Sequence, residues 1–238
     1  MVSTVIKNWD NKTWLSSKDY IRSFNIFLTK KVKLNPKSKI LDIGCGRGKI
    51  LGSLSSKLKL IKKPIGIDVI NHKDKDKRIV FKQIDALSFF IKNKKKFDLI
   101  LIKQTIHFLK MNDIKKLLDL CNKSLNKNGV IFISNLDTYK NELPTFPLMD
   151  KKLKSSFKRH QEIFFLISQT FLTVNIRKFE FYVEIPKKKY LDMIKQRYIS
   201  MLLNFSSKQI SDGIKEIDNK YGEVLKFKDK LICFILKK

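Results

Sequence analysis

Three glycines crowd into the stretch "KILDIGCGRGKI" at residues 39 to 50, in a chain that has only 8. Gly44, Gly46 and Gly48 alternate directly after an apolar run that carries Asp42. Glycine is entropically costly in a folded chain, so such a cluster implies a backbone that turns tightly, passes close beneath a bound molecule and points N–H groups at it. Further carboxylates, Asp68 and Asp85, close two later apolar runs. An ionised carboxylate offers two acceptor oxygens, which suits a partner with hydrogen-bond donors. The spacing excludes two common phosphate binders. A Walker loop needs a glycine five places before Gly48 and a hydroxyl residue after Lys49, and Ile43 and Ile50 stand there. A GxGxxG dinucleotide fingerprint needs its third glycine where Lys49 stands. What remains is a GxGxG turn with an acid two residues before it.

Histidine offers one candidate proton acceptor. His107 follows the run "FDLILI" in a turn on the same side as the glycines, which suits a general base, although a helix-start residue packed on the sheet would have the same sequence signature. His72 sits among charges and His160 in a charged helical pattern. Cys45, Cys121 and Cys233 are far apart, with no CxxC or Cys/His spacing, so neither a metal nor a disulfide framework is expected.

These side chains need a scaffold. Apolar runs at 39 to 43, 64 to 69, 79 to 85, 97 to 102 and 129 to 134 are candidate strands. Helical patterns lie between most of them, clearest in "DIKKLLDLCNKSL" at 113 to 125, with Asn128 and Gly129 as a stop signal. Strand and helix in alternation predict a parallel sheet covered on both faces, with ligands outside the carboxyl ends of the strands. Tyr20, Ile21, Phe24, Phe27 and Leu28 repeat at helix spacing in an N-terminal helical cap, residues 1 to 35, which Pro36 closes. The rest of the chain adds a strand in "VNIRKFEFYVEI", helices in "KKYLDMIKQRYISMLLNF" and "KQISDGIKEIDNKY", and a last strand in "KLICFIL". The stretch "NHKDKDKR" after Asp68 is short and charged, and is expected to be a solvated loop rather than a helix.

Composition sets the outer bounds. The 238 residues suit one domain with insertions, and 43% hydrophobic content suffices for a core. The formal charge of +29 invites a polyanion partner, yet only six of the 51 basic residues are arginines, and the lysines are spread along the whole chain. Arginine is the better residue for bidentate phosphate recognition, so a nucleic-acid partner is not favoured; an AT-rich coding composition is the expected source of the lysines, with a polyanion partner as the alternative. No apolar run approaches the ~20 residues of a bilayer span, and the N-terminus lacks a basic start plus apolar core, so a cytoplasmic protein is expected, as a monomer or homodimer.

Taken in order, the motifs resemble those of the class I S-adenosylmethionine-dependent methyltransferases, whose first motif looks like "ILDIGCGRG". The resemblance covers residues 38 to about 135 and implies an α/β fold: a seven-stranded, mostly parallel, doubly wound sheet, with helical insertions after strands 5 and 6. The methyltransferase domain would run over 36 to 238, with lid and acceptor segments near 136 to 172 and 186 to 222. S-adenosylmethionine is the implied cofactor and S-adenosylhomocysteine the product. Asp42, Gly44, Cys45 and Gly46 would border its amino acid and ribose, Asp68 and Val69 the ribose, Asp85 and Ala86 the adenine, and Lys103 and Gln104 the methionine part. Each alone has a plainer account as a turn or strand-end cap; their order at the ends of successive strands favours the cofactor.

The acceptor is less legible. There is no Asn/Asp-Pro-Pro-aromatic tetrapeptide and no Pro-Cys pair, which disfavours the familiar DNA methyltransferases. The flanking segments resemble family members acting on small acidic metabolites, the trans-aconitate type among them. That resemblance implies an acceptor pocket with Tyr20 and Arg22 on one side and Arg197 and Tyr198 on the other. An arginine would hold a carboxylate through two parallel hydrogen bonds. A small, acidic acceptor is therefore expected; methylation of RNA or protein over the lysine-rich surface, or a noncatalytic binding role, are the alternatives.

Overall fold

The computed structural model describes residues 13–237. After a 3-10 turn at Trp14–Ser16 the chain forms α1 (Lys18–Lys31), β1 (Ile40–Ile43), α2 (Lys49–Leu58), β2 (Ile65–Asp68), β3 (Val80–Gln83), α3 (Ala86–Lys92) and β4 (Phe97–Lys103). It continues through α4 (Met111–Lys123), β5 (Leu125–Leu136), α5 (Pro147–Thr170), β6 (Thr173–Pro186), α6 (Lys187–Lys195), α7 (Ser207–Lys220) and β7 (Val224–Lys237). The seven strands make one sheet in the order β3-β2-β1-β4-β5-β7-β6. The pairs β1·β2, β1·β4, β2·β3 and β4·β5 are parallel. The order reverses between β1 and β4, which creates the crevice where an open α/β sheet binds its ligands.

Burial explains why the short runs become strands. All four residues of β1 are buried, as are Ile65, Gly66 and Ile67 of β2, because parallel strands are covered on both faces. The edge strand β3 is instead mostly exposed. Leu41, Ile43, Ile100, Ile102, Ile131 and Ile133 line one face and pack with Ile114, Leu117, Leu118 and Cys121 of α4, whose spacing puts them on one side of that helix. On the other face Phe24 and Phe27 of α1 meet Phe132 edge-on, with ring centroids 6.1 and 6.3 Å apart.

Two expectations from the sequence need correction. The predicted helix at 113 to 125 ends at Lys123, and Asn128 and Gly129 lie inside β5 rather than at a helix stop. Leu125 pairs with Phe97 and Val130 with Leu99, so the β5 backbone bulges between them, and Asn128 takes a left-handed φ of 65°. Residues 69 to 79 do lack a helix, but they are not simply solvated. His72 is buried, Arg47 is buried and bonded to Asp74 at 2.6 Å, and the Asp76 N–H donates to the Arg47 carbonyl at 2.8 Å. The charges of this segment tie it to the glycine turn.

The fold resolves into two compact units. One contains Ile21–Asn135, His160–Phe179 and the residues from Leu231 on; the other contains the described residues up to Tyr20 with Leu136–Arg159 and Glu180–Lys230. The second has its own aromatic core. Trp14 stacks on Tyr190 at 6.2 Å and meets Tyr198 and Phe227 at 5.2 Å each, and its indole N–H donates to the buried Asp229 at 3.1 Å. Lys187 bridges Asp218 and Glu223, and a capping box between Ser206 and Gln209 opens α7.

Candidate cofactor site

Asp42 and the three glycines sit where β1 leaves the sheet. The Gly44 and Cys45 N–H groups donate to the Ile67 carbonyl at 2.8 and 3.0 Å, which folds the turn toward the end of β2. Gly44 and Gly48 have φ of 72° and 71°, a left-handed conformation that a side chain resists. Space is lacking as well: a Cβ on Gly48 would lie 2.2 Å from Ile79 Cδ1. Gly48 is the residue from which α2 starts.

Asp68 ends β2 and faces this turn. Its Oδ2 accepts the Gly46 N–H at 2.8 Å and its Oδ1 accepts the Ile70 N–H at 2.9 Å. Each carboxylate oxygen has a second lone pair, so both remain able to accept a hydroxyl donor from a ligand. Val69, next in the chain, is exposed, and its carbonyl accepts from the Gln83 amide at 3.3 Å. Asp85 is exposed and caps α3, its Oδ1 accepting the Ser88 N–H at 2.9 Å; hydrogen bonding by the Ser88 side chain, and then by its N–H, holds the carboxyl below the usual range. Ala86 is the first residue of α3.

The electrostatics concentrate at Asp42. Burial pushes its carboxyl up to about 7, Lys103 pulls it down, and Asp68 adds to the upward push. The same burial, with Asp42 and Asp68 nearby, raises the Cys45 thiol, so it is a protonated packing group rather than a nucleophile. Lys103 closes β4; its ammonium donates to Gln104 Oε1 at 3.2 Å and stands 5.4 Å from the centre of the Phe24 ring. Gln104 turns with a φ of 52°, and its N–H donates to the Ser134 carbonyl at 2.7 Å. Thr105 then donates its hydroxyl to the Lys103 carbonyl at 3.0 Å. His107 lies in the 3-10 turn Ile106–Phe108, its ring 4.2 Å from that of Phe108.

The unit containing the sheet thus gathers Asp42, Gly44, Cys45, Gly46, Asp68, Val69, Asp85, Ala86, Lys103, Gln104 and His107. The expected acceptor residues divide: Arg22 belongs to this unit, and Tyr20, Arg197 and Tyr198 to the other. Arg22 is exposed. Tyr20 is fully buried, with its ring 5.1 Å from that of Phe181. Arg197 has a φ of 55° and its guanidinium donates to the Leu202 carbonyl. Tyr198 is buried in the aromatic core, its hydroxyl 3.2 Å from that of Tyr190, which donates to the Pro144 carbonyl at 2.7 Å. Thr105, Ser134 and the Arg47–Asp74 pair carry no motif in the sequence; strand register and loop closure bring them to the site. Among the described residues no group of three His, Cys, Asp or Glu side chains is placed to hold a metal ion, and no helix is long and apolar enough to cross a membrane.

Comparison with known proteins agrees with this geometry. Over 105 residues the chain is 34% identical to the ubiquinone biosynthesis O-methyltransferase of Pelagibacter ubique (strain HTCC1062), a match covering 42% of each chain, so it spans less than half of that relative's length. A SAM-dependent methyltransferase from Archaeoglobus fulgidus has the same fold, with a TM-score of 0.56 and 17% identity over 98% of both chains. Another from Geobacter sulfurreducens, solved with S-adenosyl-L-homocysteine, gives 0.56 and 11% over 99% of this chain and 98% of that one. A methyltransferase-domain family model matches residues 17–184, and the chain belongs to that family.

Proposed function

We propose that the protein transfers a methyl group from S-adenosylmethionine to a small, acidic acceptor. The observation that carries the cofactor assignment is Asp68: two backbone N–H groups fix both of its oxygens beside the glycine turn, where a ribose diol would meet them. The turn beside it keeps its bare backbone form, since a side chain at Gly44 or Gly48 would run into Thr105 or Ile79. Bound S-adenosylmethionine supplies a methyl group on a sulfonium, which is already an excellent leaving group. The chain's task is then to bind and orient. Asp68 and Val69 would hold the ribose, Asp85 and Ala86 the adenine, and Asp42, Gly44, Cys45, Gly46, Lys103 and Gln104 the amino-acid end. Orientation of this kind contributes roughly 7 to 11 kcal/mol to a transfer between two bound groups. His107 follows Lys103 and Gln104 closely and is the side chain proposed to take a proton from an acceptor hydroxyl; an acceptor carboxylate would need no base.

The acceptor assignment draws support from the O-methyltransferase relative and from charge. A surface at +29 raises the local concentration of small anions and speeds their arrival. Arg22 and Arg197 are each proposed to hold an acceptor carboxylate, whereas the buried Tyr20 and Tyr198 pack within their own unit. Titration calorimetry with S-adenosylhomocysteine tests the cofactor half: wild type binds and Asp68→Ala binds at least tenfold more weakly, by the roughly 1.5–3 kcal/mol that a charged hydrogen-bond partner contributes. Equal affinities would remove Asp68 from the site. Incubating a cell extract with methyl-labelled cofactor tests the other half, with label expected in the small-molecule fraction. Label confined to RNA or protein would overturn it.

A further inference from the structure

We propose that Lys103 is the positioning residue that keeps Asp42 charged, so that the Asp42 carboxylate can receive the amino group of the bound cofactor; this rests on the cofactor reading above. The argument begins with register. Asp42 of β1 pairs with Leu101 of β4, and paired residues of parallel strands point to the same face. Lys103 lies two residues beyond Leu101, so it shares that face one step nearer the carboxyl edge. Lys103 pairs in turn with Ser134 of β5, which extends the polar row across three neighbouring strands. The row lies on the face that α1 covers, with Phe24 above the Lys103 ammonium.

Asp42 is 4% exposed, yet it lacks the support given to Asp68. Asp68 accepts two backbone N–H groups, whereas among the described residues no hydrogen bond to Asp42 offsets its burial. A buried carboxylate without donors is costly to ionise, and it needs either a proton or a nearby cation. Asp68 on β2 repels its charge, Cys45 in the turn is a neutral thiol, and Ser134 of β5, in the same row, is uncharged. Arg47 and Lys49, near in sequence, act on Asp74 instead, and Lys49 also on Asp76. The cation that acts on Asp42 is Lys103.

The arrangement fits a ligand that brings its own donors. The amino-acid end of the cofactor carries an ammonium with three N–H donors, the complement of a carboxylate that has none. Lys103 is anchored by Gln104 Oε1 and the Phe24 ring rather than by a short bond from Asp42, so it lends its field without taking the carboxylate's lone pairs. It is thereby an electrostatic support and not a competitor for the ligand.

The test is S-adenosylhomocysteine affinity by calorimetry between about pH 6 and about pH 8.5 for wild type, Lys103→Met and Asp42→Asn, with the ¹³C titration of the Asp42 carboxyl followed in the ligand-free proteins. Wild-type affinity is expected to fall as the pH drops below about 7, where Asp42 takes up a proton. Lys103→Met, which keeps the apolar stem, should approach wild-type affinity at the alkaline end and be about fivefold weaker near neutrality, its midpoint moved up by about one unit. Asp42→Asn should bind weakly with little pH dependence. An Asp42 carboxyl that titrates alike in wild type and Lys103→Met overturns the inference, and so does a Lys103→Met loss equal at every pH. Absence of binding to wild type at any pH counts against the cofactor reading instead, and the ligand-free titration then still decides the coupling of Asp42 to Lys103.

Discussion

A Cβ on Gly44 would stand 2.2 Å from the hydroxyl oxygen of Thr105, so the turn after β1 and the turn after β4 are cut to fit each other. Gly44→Ala meets two obstacles, that contact and a φ of 72°. Together these should cost about 2 to 4 kcal/mol of stability and displace the turn that Asp68 grips through Gly46. Thr105→Gly in the Gly44→Ala background removes the clash but leaves the backbone strain, so denaturant titration should show a partial recovery. Full recovery would mean that the left-handed backbone at Gly44 is of no consequence, and none would mean that the Thr105 contact is not the obstacle.

Asp42 makes stability depend on pH in a direction opposite to that of an ordinary paired carboxylate. Its folded-state value is raised from 3.8 to about 7, so the folded protein holds a proton there that the unfolded chain releases. The acid form is fully compatible with folding below about pH 4, and stability is lost as the pH rises through about 7. Asp42→Asn should therefore gain on wild type with rising pH, by on the order of 2 to 4 kcal/mol more at pH 8 than at pH 4. Urea titrations of both proteins at the two pH values measure this; an unchanged difference would show that burial does not perturb the carboxyl. The side chain proposed to bind the cofactor is then one the fold would be more stable without.

The sequence exposes the parts of this site that are local and hides those that depend on register. Apolar runs ending in Asp42 and Asp68 are visible because a strand buried on both faces must be continuously apolar, whereas the run before Asp85 forms the mostly exposed edge strand β3. The start of β5 is not visible, because "LNKNG" has the polarity and glycine of a helix stop, and only its pairing with Phe97 makes it strand. The segment after Asp68 looks like free charge, since Asp74 and Arg47 are 27 residues apart and nothing local shows that they meet. Asp42 and Lys103 are brought to one face of neighbouring strands by strand order, which no run of adjacent residues records. Tyr198 shows the reverse case: a tyrosine beside an arginine has the composition of a binding site, but its ring completes an aromatic core.

That core makes a prediction about Tyr198 itself. Tyr190 has one hydroxyl proton and gives it to the Pro144 carbonyl, so in the 3.2 Å contact between the two phenols Tyr198 is the donor. Burial raises the values of both phenols, and neither ionises near neutrality. Tyr198→Phe should cost about 1 kcal/mol, and Tyr190→Phe about 2 to 3 kcal/mol because it leaves the Pro144 carbonyl without that donor as well. Thermal denaturation of the two variants checks the order. A Tyr198→Phe protein of wild-type stability whose acceptor KM rises tenfold would assign the hydroxyl to acceptor binding in place of the core.

Ser134 shares its register position with Lys103, and its Oγ is fully buried with no hydrogen-bond partner among the described residues. A hydroxyl in that state forfeits its bonds to water without replacement, a cost of about 1 to 3 kcal/mol. Ser134→Ala removes the hydroxyl and leaves a void smaller than a methyl group, while the backbone bond from Gln104 to the Ser134 carbonyl, 2.7 Å, is untouched. The variant should therefore be more stable than wild type by about 1 kcal/mol in the ligand-free protein. Ser134→Val would not serve as well, since it adds volume beneath Phe24 and confounds packing with polarity. Stability measured with and without S-adenosylhomocysteine separates two roles for the hydroxyl. A gain in both conditions marks it as a plain cost of the fold; a gain without ligand that disappears with ligand marks it as a group the ligand satisfies; and a loss in both shows that it already has a partner, in which case the predicted stabilisation is wrong.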